Sequence, residues 1–519
     1  MKQISSFLLL IILSFVSFAQ IKPFRFAFLS DTHIGSPDGK AEEDLQRTVR
    51  DINILPNIDF VVITGDITEL GTNEQVINAK KGFDSLRVKY YIIPGNHDDG
   101  WSESGGISFV KTFGSDRFTF DHNGIRFIAC ASGPYVRMSD GHIPMDAMNW
   151  MKKILDTTSA SMPVIFLNHY PMDNQMDNWY EVIDMFKKKN TILFLCGHGH
   201  TNKALDFEDI PGVMGRSNLR AKQLVGRYNL VDVRTDSIIF TERNPVTSEM
   251  KVWTKVKVEQ HNYDLSKNFA RPDYSINAKY PQVKAKWMYS SNANVISTPA
   301  VINDEVIFGN QNGIVTALSL KNGKQKWTYK TDGSIYSSPA IHRDKIVFGS
   351  ADGYVYCIND NGKEVWKFKT EAAALSCPTI ENDVVYIGGS DHNFRAINFN
   401  SGKEIWSFNG LDGPVVSTPV FYKNDIIFGA WDTYLYSLNK NTGALNWKWS
   451  NGSTIRNYSP AACIPVIHDD IIFIVAPDRY LTAIDATTGK TLWRTNESTV
   501  RESIGISNDG KYIYGKTMN

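Results

Sequence analysis

Five copies of one short phrase govern how the second half of this chain can fold. "NGKQKW", "NGKEVW", "SGKEIW", "TGALNW" and "TGKTLW" end at Trp327, Trp366, Trp406, Trp447 and Trp493, at intervals of 39, 40, 41 and 46 residues. An upstream "VKAKW" closes at Trp287, 40 residues before the first. Other phrases keep the same phase: "STPAV", "SSPAI", "SCPTI" and "STPVF" open four units, and "VIFGN", "IVFGS", "YIGGS" and "IIFGA" follow them. A period near 40 with four short strands and glycine-rich turns per unit describes the blade of a β-propeller. A row of unrelated hairpins would not hold so many features in register.

These units resemble the PQQ-like propeller repeat, recognised by its Gly-Lys-x-x-Trp close, over residues 284–519. The resemblance implies that each tryptophan docks between neighbouring blades. It does not imply the quinone: the adjacent cysteine pair and acidic metal site of the quinoprotein dehydrogenases are not evident, so no PQQ is expected. Non-enzymatic relatives use the ring as an interaction surface, which makes a protein or glycan partner on the propeller an expectation. Five blades are complete, and a sixth begins with "ESIGIS" and "KYIYGKT". If "KAKWMYS" supplies its outer strand, the sixth blade lacks its third, and an open sheet edge is an aggregation hazard. The expectation is a natural chain that continues beyond Asn519.

The first half has a different rhythm. "FRFAFL", "FVVI", "YYII", "VIFL" and "TILFLC" are apolar runs of strand length, and Ala41, Leu45, Val49 and Ile52 mark an amphipathic helix between the first two. Further helices are expected around residues 76–86, 145–155 and 180–189, and "YNLVDV" and "SIIFTER" read as late strands. Alternating strand and helix give a layered α/β domain, so the fold class is α/β followed by all-β. At 519 residues two domains are expected, and 55 basic against 55 acidic residues give no reason to expect a nucleic-acid polymer. The amino terminus carries "FLLLIILSFVSF" and then Ser17-Phe18-Ala19. That run is short of the ~20 apolar residues of a membrane span and reads as a signal peptide, residues 1–19, for secretion or a periplasm. The divisions expected are 20–255 for the α/β domain, 256–283 for a linker and 284–519 for the propeller. Cys130, Cys196, Cys357, Cys377 and Cys463 are scattered and odd in number, which suits buried small hydrophobes better than a disulfide framework.

The residues after the five early strands are "SDTH", "TGDITE", "PGNHDD", "NHYP" and "GHGH". In a parallel sheet with helical crossovers such ends meet along one edge, where α/β sheets carry their ligands. The collected set is Asp31, His33, Asp66, Asn96, His169, His198 and His200, oxygen and imidazole donors suited to manganese, iron or zinc. Seven ligands suit two ions about 3.5 to 4 Å apart that share one carboxylate. Asp66 is the candidate for sharing, being central in chain order and preceded by a glycine that allows close backbone approach.

These ordered blocks resemble the calcineurin-like metallophosphoesterases over residues 24–242. The resemblance implies one metal on Asp31, His33, Asp66 and His200 and a second on Asp66, Asn96, His169 and His198. It implies that His97 protonates the leaving oxygen, and His97, Glu69 and Asp98 are the catalytic residues expected. Where the family often has aspartate to orient the histidine, this chain has Glu69, whose carboxylate can still hold His97. A water bridging two cations loses its proton near neutral pH, and the hydroxide can attack a phosphate mono- or diester in line. His142, His122 and Arg216 fit loop and salt-bridge roles better than the site. The leading expectation is a secreted two-metal phosphoesterase with a propeller for partner or substrate targeting. The alternative is a propeller-based scaffold protein of the cell envelope with the metal domain secondary, and deleting the propeller is the discriminating experiment.

Overall fold

The computed structural model describes residues 21–515 except 38–39, 101, 135, 137–139, 221 and 498. The expected signal peptide lies outside the described residues. The amino-terminal domain is two six-stranded sheets packed face to face with helices on both outer sides. Its strands are β1 (Phe24–Leu29), β2 (Phe60–Thr64), β3 (Lys89–Ile93), β4 (Arg117–His122), β5 (Ile125–Cys130), β6 (Val164–Leu167), β7 (Thr191–Cys196), β8 (Lys203–Phe207), β9 (Ile210–Met214), β10 (Tyr228–Val233), β11 (Ser237–Arg243) and β12 (Met250–Lys257). The helices are α1 (Ala41–Ile54), α2 (Asn73–Phe83), α3 (Asn96–Asp99), α4 (Ile107–Phe113), α5 (Met145–Thr157) and α6 (Trp179–Phe186). The first sheet runs β12-β11-β10-β1-β2-β3 and the second β4-β5-β6-β7-β9-β8. The runs β1-β2-β3 and β5-β6-β7-β9 are parallel, and the outer strands are antiparallel.

Side-chain alternation explains the layers. On β1, Phe26 and Phe28 point between the sheets and meet Phe60, Phe127 and Leu195, whereas Ala27 and Leu29 point outward onto Leu45, Val49 and Ile52 of α1. The outer face of the second sheet is covered by Met151 and Leu155 of α5 and Val182 and Phe186 of α6. All five cysteines are free, four of them buried, as small hydrophobes would be.

The carboxyl-terminal region is five four-stranded antiparallel sheets, over residues 300–330, 340–369, 379–408, 420–450 and 466–495, and a two-stranded remainder, Ile504–Ile506 with Ile513–Gly515. The repeated phrase has a direct mechanical reading. Gly323, Gly362, Gly402, Gly443 and Gly489 turn the chain with φ between +67° and +73°, and a Cβ on any of them would strike, at 2.6 to 2.7 Å, the indole of Trp287, Trp327, Trp366, Trp406 and Trp447 respectively. Each tryptophan thus lies on the glycine turn of the next blade. The segment around Trp287 is not hydrogen-bonded into a sheet, unlike the outer strand expected of it, yet its indole takes the same seat and donates to the Leu320 carbonyl at 2.9 Å.

The two regions interlock. Glu103, shortly after α3, accepts from Arg456 Nη2 at 2.7 Å and lies 3.3 Å from His392 Nε2. The Tyr336 hydroxyl donates to the Gly105 carbonyl at 3.2 Å, and Ile107 and Val136 pack against Tyr336, Ala373 and Leu375 of the propeller.

Candidate metal centre

The sequence reading places five ligand-bearing strand ends on one parallel sheet; the structure divides them between two. The segments after β1, β2 and β3 bring Asp31, His33, Asp66 and Asn96, and those after β6 and β7 bring His169, His198 and His200. The site therefore lies across the shared edge of the sandwich rather than along one sheet. Five of the seven side chains stand on left-handed backbone: Asp31 at φ 53°, His33 at 47°, Asp66 at 49°, His198 at 69° and His200 at 57°. Such conformations cost about 1 kcal/mol or more each and persist where surrounding contacts impose them. A Cβ on Gly95 would come within 2.3 Å of the Asp66 nitrogen, so only glycine lets the second and third ligand loops touch.

Donor atoms of the seven expected ligands converge in two groups. Asp31, His33, Asp66 and His200 offer atoms within 4.8 Å of one another, as do Asp66, His169 and His198, so Asp66 belongs to both. Asp66 Oδ2 is 3.8 Å from His33 Nε2 and 3.2 Å from His169 Nε2, and Asp31 Oδ1 is 3.2 Å from His200 Nε2. Asn96 Oδ1 lies 3.0 Å from both His169 Nε2 and His198 Nδ1. The set fits cations. His33 Nε2 faces His200 Nε2 at 3.2 Å, His169 Nε2 faces His198 Nδ1 at 3.3 Å, and the buried Asp31 Oδ1 accepts no hydrogen bond. Nitrogens aimed at each other beside buried carboxylates are arranged for a positive charge between them.

The electrostatics agree. Burial would push Asp66 up, but the charges of His169 and His97 hold it well below the usual carboxylate range. Burial also opposes the charged forms of His33 and His169. The bond from Glu69 with the charges of Asp66 and Asp31 nevertheless raises His33 to about 9, and Asp66 and Asp31 raise His169 to about 9. Burial and the neighbouring His169 push His198 down to about 4.

The expected catalytic trio divides. His97 is buried at the site with Nε2 4.0 Å from Asp66 Oδ2, and Nδ1 is 2.7 Å from the Glu69 backbone carbonyl. The Glu69 carboxylate lies 3.0 Å from His33 Nδ1, and its oxygen, His33 and His97 offer atoms within 4.8 Å of one another. Asp98 acts as a strut between ligand loops. Its Oδ2 accepts from the backbone of Ile67 and Gly95 and its Oδ1 from the backbone and hydroxyl of Thr68, at 2.7 to 2.9 Å, tying two ligand loops together. His142 pairs with Asp177, His122 with Asp59, and Arg216 with Glu242. Sequence reasoning missed Tyr170, whose ring lies 4.2 Å from that of His198; its signal was its place directly after His169. It also missed the Thr64 carbonyl, 2.8 Å from His169 Nδ1, a backbone atom with no signature in residue type.

Residues 24–202 match the family described as calcineurin-like phosphoesterase. The amino-terminal domain is a calcineurin-like phosphoesterase. The phosphoesterase domain, a metal-dependent hydrolase, is followed by a propeller region matching, over residues 282–355 and 331–517, the family described as outer membrane protein assembly factor BamB. Similar curated proteins are a probable glycerophosphodiester phosphodiesterase of Arcobacter nitrofigilis, 28% identical over 201 residues, 33% of this chain and 70% of that one, and a 3',5'-cyclic-nucleotide phosphodiesterase of Nostoc sp., 22% identical over 201 residues, 34% and 72%. BamB from Moraxella catarrhalis is 18% identical with a TM-score of 0.36, over 41% of this chain and 67% of that one.

Proposed function

We propose that the chain is an exported binuclear phosphoesterase that hydrolyses a small phosphodiester. The observation that carries the reading is the pair of donor groups sharing Asp66. Asp31, His33, Asp66 and His200 would hold one divalent cation, and Asp66, Asn96, His169 and His198 a second. Such cations supply neutralisation of phosphate charge and an acidified water. The chain's own residues do the rest. His97 keeps Nδ1 on the Glu69 carbonyl, which directs Nε2 into the site. As a water oxygen bonds to phosphorus, the bond from phosphorus to the opposite ester oxygen breaks, and His97 Nε2 gives its proton to that departing oxygen. Glu69 steadies His33, and Tyr170 walls the His198 side.

The diester preference is supported by the relatives named for glycerophosphodiester and cyclic-nucleotide substrates. Export is supported by the apolar run and small residues at positions 7–19. Among the described residues no helix is long and apolar enough to cross a membrane. The propeller is proposed to present a partner or substrate surface.

The test is hydrolysis of p-nitrophenyl phosphate and its bis ester by metal-stripped protein with manganese, zinc or iron restored, beside Asp66→Asn. Metal-dependent turnover that favours the bis ester and is lost in the variant supports the proposal. Turnover of neither ester, in folded and metal-loaded protein, would sink it.

A further inference from the structure

A second set of unsatisfied oxygens lies at the junction of the two domains, outside the metal centre. A cavity of about 270 Å³ there is walled by Asp99, Asp116, Arg117 and Asp146 of the phosphoesterase domain and by Gln311 and Tyr336, among others, of the propeller. Asp99, which ends α3, is 2% exposed, and its Oδ2 accepts no hydrogen bond. Asp146 Oδ1 and Gln311 Oε1, of residues lining the same cavity, are also buried and without a partner. A buried polar atom left unpaired costs roughly 1 to 3 kcal/mol, so three around one space need a common explanation.

Charge points the same way. The lining holds four carboxyl groups, Asp99, Asp116, Asp146 and Asp332, against two cations, Arg117 and Lys330. Both cations are engaged: Arg117 forks onto Asp116 at 2.7 and 2.9 Å and reaches Asp146 Oδ2 at 2.8 Å, and Lys330 donates to the Asn312 carbonyl. Neither is directed at the three orphan oxygens. Burial and the charge of Asp116 push the Asp99 carboxyl well above its ordinary range, as happens when a carboxylate lacks its counter-charge.

We infer that this cavity is a cation site of the calcium class, held by Asp99, Asp146 and Gln311 and bridging the two domains. An all-oxygen donor set without imidazole or thiolate selects a hard ion. Calcium accepts six to eight oxygens in flexible geometry, and the space admits the ion with several waters, whereas magnesium demands near-octahedral donors. The ion joins the end of the helix that carries Asn96 and His97 to the first blade of the propeller.

The experiment uses the full chain with its catalytic centre filled with manganese. Calcium is added against a constant excess of magnesium, bound calcium and manganese are counted by elemental analysis after dialysis, and the unfolding temperature is followed. One calcium per chain is expected, with manganese retained and the unfolding temperature raised by several degrees. Gln311→Leu, nearly isosteric and remote from the catalytic ligands, is expected to weaken calcium uptake at least tenfold with manganese unchanged, and Asp146→Asn to do the same. No calcium uptake by the parent protein, uptake abolished by magnesium, or uptake unchanged in Gln311→Leu would each overturn the assignment.

Discussion

Filling the metal centre should release protons from histidines that the neighbouring carboxylates hold in their charged form. Without a cation, His33 and His169 sit at about 9 because Asp66, Asp31 and Glu69 favour their charged forms over the opposition of burial. At pH 7 each is therefore mostly protonated, and a cation must displace that proton at a cost of about 3 kcal/mol per histidine. His198, at about 4, contributes none. Titration calorimetry at pH 7 in buffers of different ionisation enthalpy should report about two protons released as the centre fills, falling towards none above about pH 10. Each proton weakens its step about tenfold per pH unit below 9, so affinity should rise steeply between pH 7 and 9. The sign for stability is opposite in the metal-free protein. A histidine raised above its ordinary value near 6.5 stabilises fully below that value, and the benefit, about 3 kcal/mol each, is lost as pH rises through 9. The gap in unfolding temperature between loaded and stripped protein should therefore widen from pH 6.5 to 9. Release of fewer than about one proton at pH 7, or an affinity flat across that range, would refute the reasoning.

His97→Ala should slow hydrolysis of an alkyl ester by ~10² to 10⁴ and a p-nitrophenyl ester far less, because p-nitrophenolate leaves without a proton; equal losses on both esters would remove His97 as the acid. Glu69→Gln frees His33 Nδ1 from its carboxylate and should weaken metal binding about 10- to 100-fold, with turnover recovered at high metal, since His97 is held by a carbonyl that the substitution leaves in place. A fall in kcat that saturating metal does not restore would contradict that division of labour. Asp98→Ala strips acceptors from three backbone N–H groups and the Thr68 hydroxyl and should cost about 3 kcal/mol or more of stability, read as a lowered unfolding temperature; an unchanged one would show that Asp98 is no strut.

What the sequence disclosed follows from what residue identity encodes. The propeller was legible because the same contact, an indole on a glycine turn, is written once per blade, so repetition supplied the evidence that one unit lacks. The ligands were legible because metal chemistry needs those side-chain types at strand ends. Their distribution over two sheets was not, since "NHYP" after β6 reads the same whichever sheet β6 joins. The β4–β5 hairpin was within reach: "RFTFDH", "NG" and "IRFIAC" have its alternation and turn, but it carries no ligand and was passed over. Glu69 shows the limit of reasoning by position, because residue type does not say that its backbone oxygen meets His97 while its carboxylate meets His33.

The domain junction had no signal at all, and it changes what the propeller can be asked to do. Glu103 and Arg456 are 353 positions apart, and nothing in either neighbourhood names the other. Yet Glu103 lies four residues beyond α3, the helix that brings Asn96 and His97 to the site. Ile107 and Val136 are covered by propeller side chains, and Gly105 approaches Tyr336 so closely that a Cβ would fall 2.8 Å from its ring. Deleting the propeller would thus expose an apolar face and release the segment following the helix, so lost activity after deletion would not separate a targeting role from a structural one. The separation has to be made with the ring present. Substitutions on its outer surface, away from Tyr336, His392 and Arg456, leave the clasp on Glu103 intact and test targeting alone. Weakening the clasp through Arg456, with the surface intact, tests whether the ring holds the catalytic helix.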